Sequence, residues 1–419
     1  MPEAYDVVVA GGGPGGTAAA TAAARLGARV LLIERESALG GMATTGLVHP
    51  FMQYHAGQVQ LSAGVFQEII DRLAARGAMR GRRIFDDEAM KIVLDEMTAE
   101  AGVKVLLGAF VADAATLGSR IHSVTVVSKS GIEQVRGKYF IDATGDGDLS
   151  FRAGAPVEVG RPADGLCQPM TLCFRMAGVA VDLHDESAFR ALREELNAVF
   201  TRAKEEGRID QPRQDVLVFQ TVRPEVLHFN TTRIVGKSAV DAGELTAAEI
   251  EGRRQAWELA DLFRAEVPAM RDAWLSKTAS RIGIRESRRV IGHYVMTEHD
   301  ILTARKFPDG VARANYCIDI HNPAGEGTVI REVPPGDWYD IPYRSLLPRT
   351  LENLLVASRC ISATHEAHSA VRVMATVATI GQAAGTAAAL ALQDERPPSE
   401  VDVEALRRQL LADGASLTT

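Results

Sequence analysis

A glycine-rich turn near the start of the chain has the spacing of a phosphate-binding loop. It reads G-x-G-x-x-G and lies between a short apolar segment and an alanine-rich one. In this pattern the first glycine permits a tight turn, the second lets the backbone approach a pyrophosphate, and the third lets a helix pack against a strand. We therefore predict a strand–turn–helix unit whose helix N-terminus binds the phosphates of a dinucleotide. The candidate contacts are Gly11, Gly13, Pro14, Gly15 and Gly16.

An acidic residue follows at the distance that this pattern requires. Residues 29–33 are predicted to form a second buried strand, and the strand ends at Glu34. A carboxylate at this strand tip can accept hydrogen bonds from ribose hydroxyls, and it repels a 2′-phosphate. Glu34 and the neighbouring Arg35 are therefore candidate cofactor contacts. The alternative is a glycine-rich turn that binds no ligand.

The fingerprint is compatible with both NAD and FAD, and the next residues favour FAD. A second glycine turn follows, with the sequence Gly40-Gly41-Met42-Ala43-Thr44. Such a turn is unexpected in NAD dehydrogenases. It resembles the segment that lines the flavin ring in FAD enzymes of the glutathione-reductase type, where a flat ring and a ribityl chain need close backbone approach. All five residues are candidate flavin contacts.

Two further elements are consistent with a bound flavin dinucleotide. The run Ala143-Thr144-Gly145 resembles the turn of two-domain flavoproteins that passes near the dinucleotide, although it could also be a polar turn that ends a strand. Val111 and Arg359 are added as candidate cofactor contacts.

The second of these elements is a predicted helix over 375–392, rich in alanine and glycine. Its N-terminus near Val373 and Met374 could stabilise negative charge at the N1/O2 edge of a reduced flavin. The alternative is an ordinary buried helix. No second G-x-G-x-x-G follows a strand, and no redox cysteine pair is present. We therefore predict FAD alone, without a dedicated NAD(P)H domain.

Oxidation of a C–H bond by a flavin needs a base and groups that hold the substrate. Histidine is the usual base because it titrates near neutrality, and arginine can bind a substrate carboxylate or stabilise a reduced flavin. The candidate catalytic residues are His49, His55, His365, Arg344 and Arg372. The alternatives are surface or structural histidines and an arginine salt bridge between domains.

Other reactive residues are interpreted more simply. His365 and His368 have helical spacing in a loop over 358–368, but no third ligand is indicated, so no metal is predicted. An arginine-rich run over 281–289 is interpreted as a solvated or interface helix. Cys167 could be a redox partner of the flavin, but a lone cysteine is more often a packed apolar group.

The quoted motifs together resemble the FAD-dependent oxidoreductase family known as FAD_oxidored. The matching stretches include GGGPGG, GGMAT, FIDATGDGDL, IGIRESRRVIG, YDIPYRSLLP and ASRCISATHEAH, and they span nearly the whole chain. The resemblance implies an α/β fold, with a Rossmann-like FAD/NAD(P)-binding domain around a parallel central sheet and a substrate domain on a mixed or antiparallel sheet. It implies the cofactor more firmly than the reaction.

The predicted elements divide the chain accordingly. We predict a discontinuous FAD-binding domain (1–155 and 341–395), a substrate domain (156–340) and a C-terminal helix and tail (396–419). The remaining predicted helices cover 17–26, 85–101, 187–207, 247–266 and 403–411. The predicted strands cover 5–10, 29–33, 103–111, 120–128, 134–142, 170–177, 215–221, 226–232 and 353–357.

Composition excludes several classes of protein. The 419 residues are 46% hydrophobic and 24% charged, which is ordinary for a globular protein and excludes global disorder. The net charge of −8 argues against a nucleic-acid partner. The four cysteines form no C-x-x-C pair and are expected to be reduced. We see no signal peptide, and the stretch 381–392 is too short to span a bilayer, so we expect a cytoplasmic protein that could form a homo-oligomer.

These observations predict an FAD-dependent oxidoreductase. We expect it to oxidise a small polar substrate at a CH–OH or CH–NH centre and to pass electrons to oxygen, a quinone or a carrier. The alternatives are an FAD-dependent monooxygenase or double-bond reductase that uses NAD(P)H, and a non-redox or RNA-modifying flavoprotein. An NAD-binding protein without flavin is disfavoured by the second glycine turn. Covalent flavin attachment is possible, but no residue is indicated as its site.

Overall fold

The computed structural model describes residues 4–418. Within them, the helices are α1 (Pro14–Arg25), α2 (Val65–Ala75), α3 (Asp87–Glu100), α4 (Asp148–Arg152), α5 (Glu186–Glu205), α6 (Ala242–Glu266), α7 (Glu298–Leu302), α8 (His365–Val371), α9 (Met374–Gln393) and α10 (Val403–Ala412).

The strands in chain order are β1 (Ala4–Ala10), β2 (Val30–Glu34), β3 (His55–Ala56), β4 (Val59–Gln60), β5 (Met79–Arg80), β6 (Ile84–Phe85), β7 (Lys104–Leu107), β8 (Phe110–Leu117), β9 (Arg120–Ser128), β10 (Gly131–Asp142), β11 (Val157–Val159), β12 (Phe174–Ala177), β13 (Val218–Gln220), β14 (Val226–Phe229), β15 (Trp274–Thr278), β16 (Arg288–Val290), β17 (Gly310–Ala314), β18 (Ile318–His321), β19 (Thr328–Arg331), β20 (Tyr339–Pro342) and β21 (Leu354–Val356).

A seven-stranded mixed sheet forms the core of the part of the chain that contains the first glycine turn. Its parallel part has the order β7-β2-β1-β10-β21, and the first half of β10 continues into an antiparallel hairpin with β9 and β8. In register, Val8 of β1 lies beside Leu31 of β2 and Phe140 of β10. These strands are apolar because both sheet faces are covered. Because these strands are parallel, their carboxyl ends meet at one edge of the sheet, where ligands of such folds bind.

Glycines bring helices α1 and α9 into direct backbone contact. A Cβ atom on Gly381 would lie 2.0 Å from the carbonyl oxygen of Gly15, and one on Gly385 would lie 2.1 Å from that of Ala19. A Cβ on Gly15 itself would lie 1.9 Å from the carbonyl oxygen of Ala357. Only glycine fits at these crossings. The packing places the N-termini of both helices at the same edge of the central sheet.

A separate four-stranded antiparallel sheet has the order β13-β14-β12-β15 and packs with α5 and α6. Its core includes the stacked rings of Phe174 and Phe229, 4.5 Å apart, and Phe263 beyond them. A smaller apolar cluster, which includes Leu47, joins the region after the second glycine turn to this part of the chain. The remaining strands form the pairs β3–β4, β5–β6, β11–β16, β17–β20 and β18–β19.

The predicted fold class is confirmed, and several element predictions are wrong in detail. The strand predicted over 103–111 is two strands, because Gly108 adopts a φ of 63° and donates its N–H to Glu36. The helix predicted from 85 begins at Asp87, since the side chain of Asp86 caps it. Of the strand predicted over 170–177, only the part from Phe174 on is a regular strand. The domain boundaries stay a prediction.

Two further predictions fail in the C-terminal half. The arginine-rich run over 281–289 is not a helix: it is extended and ends in β16. The segment predicted as a loop over 358–368 contains the start of α8, which the side chain of Thr364 caps by accepting from Ala367 N–H.

Helix α9 is the one candidate for membrane crossing among residues 4–418. It has 20 residues and extends beyond the stretch 381–392, so the whole helix, unlike that stretch, is long enough to span a bilayer. In the folded chain, however, 89% of its most apolar window is buried. A helix buried to this extent inside the protein is a core helix.

Candidate active site

One elongated cavity connects the edge of the central sheet with the antiparallel sheet. Its lining falls into three groups. The first, the nucleotide end, includes Gly11, Gly13, Pro14, Gly15, Glu34, Arg35, Val111, Ala143, Thr144, Gly145 and Arg359. The second, the middle, includes Gly41, Met42, Val373 and Met374. The third, the far end, includes Thr171, Asn230, Arg285, Tyr316, Asp319, His321 and Arg372.

The first glycine turn has the geometry that its spacing predicts. Gly11 has a φ of 98°, and a Cβ there would lie 2.4 Å from the carbonyl oxygen of Ala143. A Cβ on Gly16 would lie 1.8 Å from the carbonyl oxygen of Gly11, so Gly16 shapes the turn without lining the cavity. A Cβ on Gly13 would meet nothing within 4 Å. Gly13 therefore presents bare backbone to open space.

The N-terminus of α1 faces the same space. Hydrogen bonding within the helix begins where Thr17 N–H donates to the Gly13 carbonyl, 2.9 Å away. The N–H groups of Gly15 and Gly16 precede this bond in the chain. Pro14, at the first helical position, has no N–H group. An anion placed here would meet free donors and the positive end of the helix dipole.

The carboxylate of Glu34 is fixed by two backbone groups. Its Oε2 accepts from Gly12 N–H at 2.5 Å and its Oε1 from Glu36 N–H at 2.8 Å. The residue is 5% exposed and lines the cavity. This placement suits a carboxylate that receives ribose hydroxyls.

Three arginines surround one buried carboxylate at the nucleotide end. Asp146 pairs with Arg359, with Arg281 at 3.3 Å and with Arg35 at 4.0 Å. Within residues 4–418, Nη2 of Arg35 and Nε of Arg359 are buried without a hydrogen-bond partner. Both arginines line the cavity. Such unpartnered donors fit a ligand that brings phosphate oxygens.

The second glycine turn packs on the first. Gly40 has a φ of 101° and donates its N–H to the Gly12 carbonyl at 2.8 Å, and a Cβ on Gly41 would lie 3.0 Å from Gly13 Cα. Gly41 and its neighbour Met42 line the cavity, whereas Gly40 does not. Two other predicted contacts also shape the turn from outside the cavity lining, namely Ala43 and Thr44.

The N-terminus of α9 reaches the middle of the cavity. Its first helical bond runs from Val377 N–H to the Val373 carbonyl at 2.9 Å, and no side chain caps the helix at Val373. The N–H groups before this bond and the helix dipole therefore face the cavity beside Met374. This arrangement can stabilise negative charge on a bound ring.

The far end contains a carboxylate that is shared by three donors. Asp319 accepts from Tyr316 OH at 2.8 Å and lies 3.6 Å from both Arg372 Nη2 and His321 Nε2. Burial would raise the pKa of Asp319, but the adjacent His321 ring and the charge of Arg372 outweigh it and hold that pKa well below its usual range. Burial and the charge of Arg285 lower the pKa of His321 to about 3. At neutral pH the pair is thus an ionised carboxylate beside a neutral imidazole.

Sequence reasoning missed most of the far end. Asp319 and His321 lie two residues apart on β18, so they share a face of that strand. This D-x-H spacing in an apolar stretch was a readable signal. Arg285 belongs to the run whose composition favours a solvated or interface helix, yet it lines the cavity. Tyr316 had no sequence signal of its own.

Of the predicted catalytic residues, Arg372 lines the cavity and the two early histidines do not. His49 is 1% exposed, its Nε2 lies 3.2 Å from the Gln220 carbonyl, and its ring packs 5.0 Å from that of Phe85. Burial lowers its pKa to about 3, so it is a neutral core residue. His55 lies on the short strand β3, away from the cavity lining. A histidine that closely follows the second glycine turn in sequence therefore need not line the cavity.

The two remaining candidates also lie away from the cavity lining. Nδ1 of His365 is 2.8 Å from Glu286 Oε1, which also pairs with Arg289 at 2.5 Å. This buried network ties two chain segments together. Arg344 has a half-exposed side chain that forms an ion pair with Asp309 at 2.8 Å. The alternatives of a structural histidine and a salt-bridged arginine describe these two residues better.

Two other reactive residues have packing roles. Burial raises the pKa of the Cys167 thiol to about 12, so it is protonated at neutral pH and supplies no thiolate. Burial lowers the pKa of His368 well below its usual value, and the ring is fully buried. Among the residues that the structure describes, no group of three side chains is arranged to hold a metal ion.

The fold and the glycine turns define a flavin-dependent enzyme class, and the comparison with family profiles identifies the family. Residues 6–410 match the family described as FAD dependent oxidoreductase, so the chain belongs to that family. Its cofactor is FAD, and the open backbone at Gly13 and the unpartnered arginine donors fit that group. A comparison with curated proteins finds no match.

Solved structures with the same fold are distant in sequence. The flavin-dependent brominase Bmp2 is 13% identical with a TM-score of 0.50, over 97% of this chain and 83% of that one. A geranylgeranyl bacteriochlorophyll reductase-like protein from Thermoplasma acidophilum is 14% identical with a TM-score of 0.47, over 99% and 85%. The myxobacterial chondrochloren halogenase CndH is 14% identical with a TM-score of 0.47, over 97% and 79%. At such identities the likeness to Bmp2 concerns the fold alone.

Proposed function

We propose that this FAD-dependent oxidoreductase oxidises a small polar substrate at a CH–OH or CH–NH centre. The observation that carries the proposal is the cluster of Tyr316, Asp319, His321 and Arg372, which lines the same cavity as the glycine turns and the N-terminus of α9. A base-and-carboxylate pair at that place suits removal of a proton from a substrate hydroxyl or amine. The electrons would pass on to oxygen, a quinone or a carrier.

The chain's own residues divide the task. The hydride that leaves the substrate carbon would be taken up by FAD, which is the chemistry that this cofactor supplies when bound. His321 is neutral at neutral pH, and its Nδ1, which lies 3.3 Å from Thr328 Oγ1, is the nitrogen that would accept the O–H or N–H proton. Asp319, 3.6 Å from Nε2, stabilises the imidazolium that results, and Arg372 holds Asp319 in place. The substrate thereby loses one hydride and one proton and becomes a carbonyl compound or an imine.

Apolar residues surround part of the cavity. They are Val48, Pro50, Met52, Leu217 and Phe219. Such residues limit water near the reacting carbon and strengthen the electrostatic interactions there. They favour a small substrate with an apolar part.

The first experiment is an absorption spectrum of the purified protein, followed by acid release and identification of the chromophore. The second is an anaerobic screen in which hydroxy and amino compounds are tested for bleaching of the flavin. His321→Gln should slow bleaching by at least about 100-fold, the usual contribution of a general base, and should leave the FAD content unchanged.

The matched control is His55→Gln, because His55 lies outside the cavity lining. It should bleach at the wild-type rate. Bleaching of His321→Gln at the wild-type rate and with the wild-type pH profile would exclude His321 as the base. Bleaching by NAD(P)H but by none of the screened compounds would favour the monooxygenase or reductase alternative.

The proposal extends to the setting of the enzyme. We place it in the cytoplasm because its four cysteines are all unpaired. We propose a small-molecule substrate and no nucleic-acid partner, with a homo-oligomer as an open possibility. Cell fractionation and light scattering of the purified protein test these points.

A further inference from the structure

Arg285 is a partly buried cation whose hydrogen bonds all go to neutral groups. Its Nη1 donates to the Pro169 carbonyl at 2.8 Å and to Thr171 Oγ1 at 2.5 Å, and its Nη2 donates to Asn230 Oδ1 at 3.4 Å. A guanidinium has five N–H donors. Two of them therefore remain for a ligand, and the residue lines the far end of the cavity.

The charges around Arg285 do not balance within the described part of the chain. No carboxylate lies within 4 Å of Arg285 among residues 4–418, although ion pairs are frequent elsewhere. Its cationic neighbours are Arg372 and Arg213. Asp319, the carboxylate that acts on Arg285, also pairs with Arg372, and Arg213 has its own partner in Asp215 at 3.3 Å.

One positive charge is thus left uncompensated at a partly buried position that faces the cavity. Burial and the charges of Arg372 and Arg213 lower the pKa of Arg285 to about 9, which still leaves it protonated at neutral pH. A charge that is partly removed from water and has no counter-ion is unfavourable. The arrangement indicates an anion that comes from outside the chain and enters through the cavity.

The surroundings of Arg285 restrict the kind of anion. Asn230 and Thr171 add polar groups beside the guanidinium, whereas Leu217, Phe219 and Met52 line the same cavity with apolar surface. A planar guanidinium suits a carboxylate, which it can bind through two parallel hydrogen bonds. The apolar surface suits a short aliphatic or aromatic body attached to that carboxylate.

We propose that Arg285 binds the carboxylate of the substrate, so that the substrate is a hydroxy or amino carboxylate with an apolar body. The oxidised group in this statement rests on the proposed function, whereas the carboxylate anchor does not depend on turnover. Arg285 holds the anion while the neighbouring His321 receives the proton. The substrate is thereby oriented by a group on a different chain segment from the base.

The test is binding to the FAD-loaded enzyme without turnover. The probes are acetate, isobutyrate and benzoate, each paired with its neutral carboxamide, and the readouts are the change in flavin absorbance and the shift in thermal unfolding. We expect at least one carboxylate to bind and its carboxamide to bind at least 30-fold more weakly. Arg285→Met should weaken carboxylate binding at least 30-fold while FAD content stays the same. Arg344→Met, a matched loss of an arginine outside the cavity lining, should leave binding unchanged.

A second variant covers the case in which Arg285→Met does not fold. Arg285→Lys keeps the charge but loses the planar pair of donors, and it should weaken carboxylate binding about 10-fold. Wild-type enzyme that binds FAD but prefers no carboxylate over its carboxamide would overturn the proposal. So would a loss of FAD from folded Arg285→Met, which would assign Arg285 to the cofactor.

The outcomes separate this proposal from the proposed function. Carboxylate binding that depends on Arg285, without bleaching by any hydroxy or amino compound, would retain the anchor and refute the oxidation. Bleaching by neutral alcohols or amines, without carboxylate binding, would retain the oxidation and refute the anchor.

Discussion

Substitution of Gly13 by valine separates cofactor binding from folding. Gly13 has a φ of −67° and a ψ of −177°, an extended conformation that any residue adopts. A Cβ at this position would meet nothing within 4 Å. The apoprotein should therefore fold normally, and valine should restrict the unfolded chain enough to stabilise it by about 0.4–1 kcal/mol.

The cost falls on the cofactor because the new side chain occupies the space in front of the N-terminus of α1. A pyrophosphate displaced from there loses charge-assisted hydrogen bonds to backbone N–H groups, each worth about 1.5–3 kcal/mol. Loss of two such bonds amounts to about 3–6 kcal/mol. The Kd for FAD should therefore rise about 10²- to 10⁴-fold.

The assay is titration of the apoprotein with FAD, followed by quenching of flavin fluorescence, with thermal unfolding of the same samples. Gly243→Val is the matched control, because Gly243 is an exposed glycine in the first turn of α6 and does not line the cavity. A folded Gly13→Val variant that binds FAD within about 3-fold of wild type would show that the phosphates lie elsewhere. An unfolded apoprotein would show that the space in front of Gly13 is not open.

Three further predictions concern stability. Gly385→Ala should destabilise the protein by about 3 kcal/mol or more in urea unfolding, because its Cβ would lie 2.1 Å from the Ala19 carbonyl oxygen. Stability should fall by about 2 kcal/mol from pH 7.5 to pH 5 on account of His49: its pKa is about 3 when folded and 6.5 when unfolded, so below pH 6.5 the unfolded chain binds the proton first. His49→Gln should remove that part of the slope, and an unchanged slope would refute the assignment. Arg344→Ala should change stability by less than about 1 kcal/mol, because its ion pair with Asp309 is half-exposed, and flavin bleaching should proceed at the wild-type rate.

The nucleotide end of the site could be predicted from the sequence because its geometry is local. The turn at Gly11, Gly13 and Gly16 is fixed by contacts within one strand–turn–helix unit and with the neighbouring strand at Ala143. Glu34 follows because parallel strands end at one edge. In such units a short stretch of sequence carries nearly all of the contacts that decide its shape.

The far end could not be predicted in the same way. Arg285, Asn230 and Asp319 come from separate segments that only the tertiary fold brings together. The arginine-rich run also has the composition of a helix, but its side chains bond to distant backbone carbonyls, as Arg289 does to Ala363 at 3.0 Å. These tertiary bonds hold the run extended. No periodicity in the sequence reports them.

The charge arrangement at the far end links substrate binding to the strength of the base. Arg285 and Arg372 both lower the pKa of His321, while Asp319 raises it. An anion bound to Arg285 would cancel part of this positive field, so the pKa of His321 should be higher in the substrate complex than in the free enzyme. The acidic limb of kcat/KM reports the free enzyme and that of kcat reports the complex. The acidic limb of the kcat profile should therefore lie at a higher pH than that of the kcat/KM profile. In Arg285→Lys, which binds the anion less closely, the two acidic limbs should lie nearer together. Coincident limbs in the wild-type enzyme would show that the anion does not act on His321, because a charge that close to a buried imidazole cannot leave its pKa unchanged.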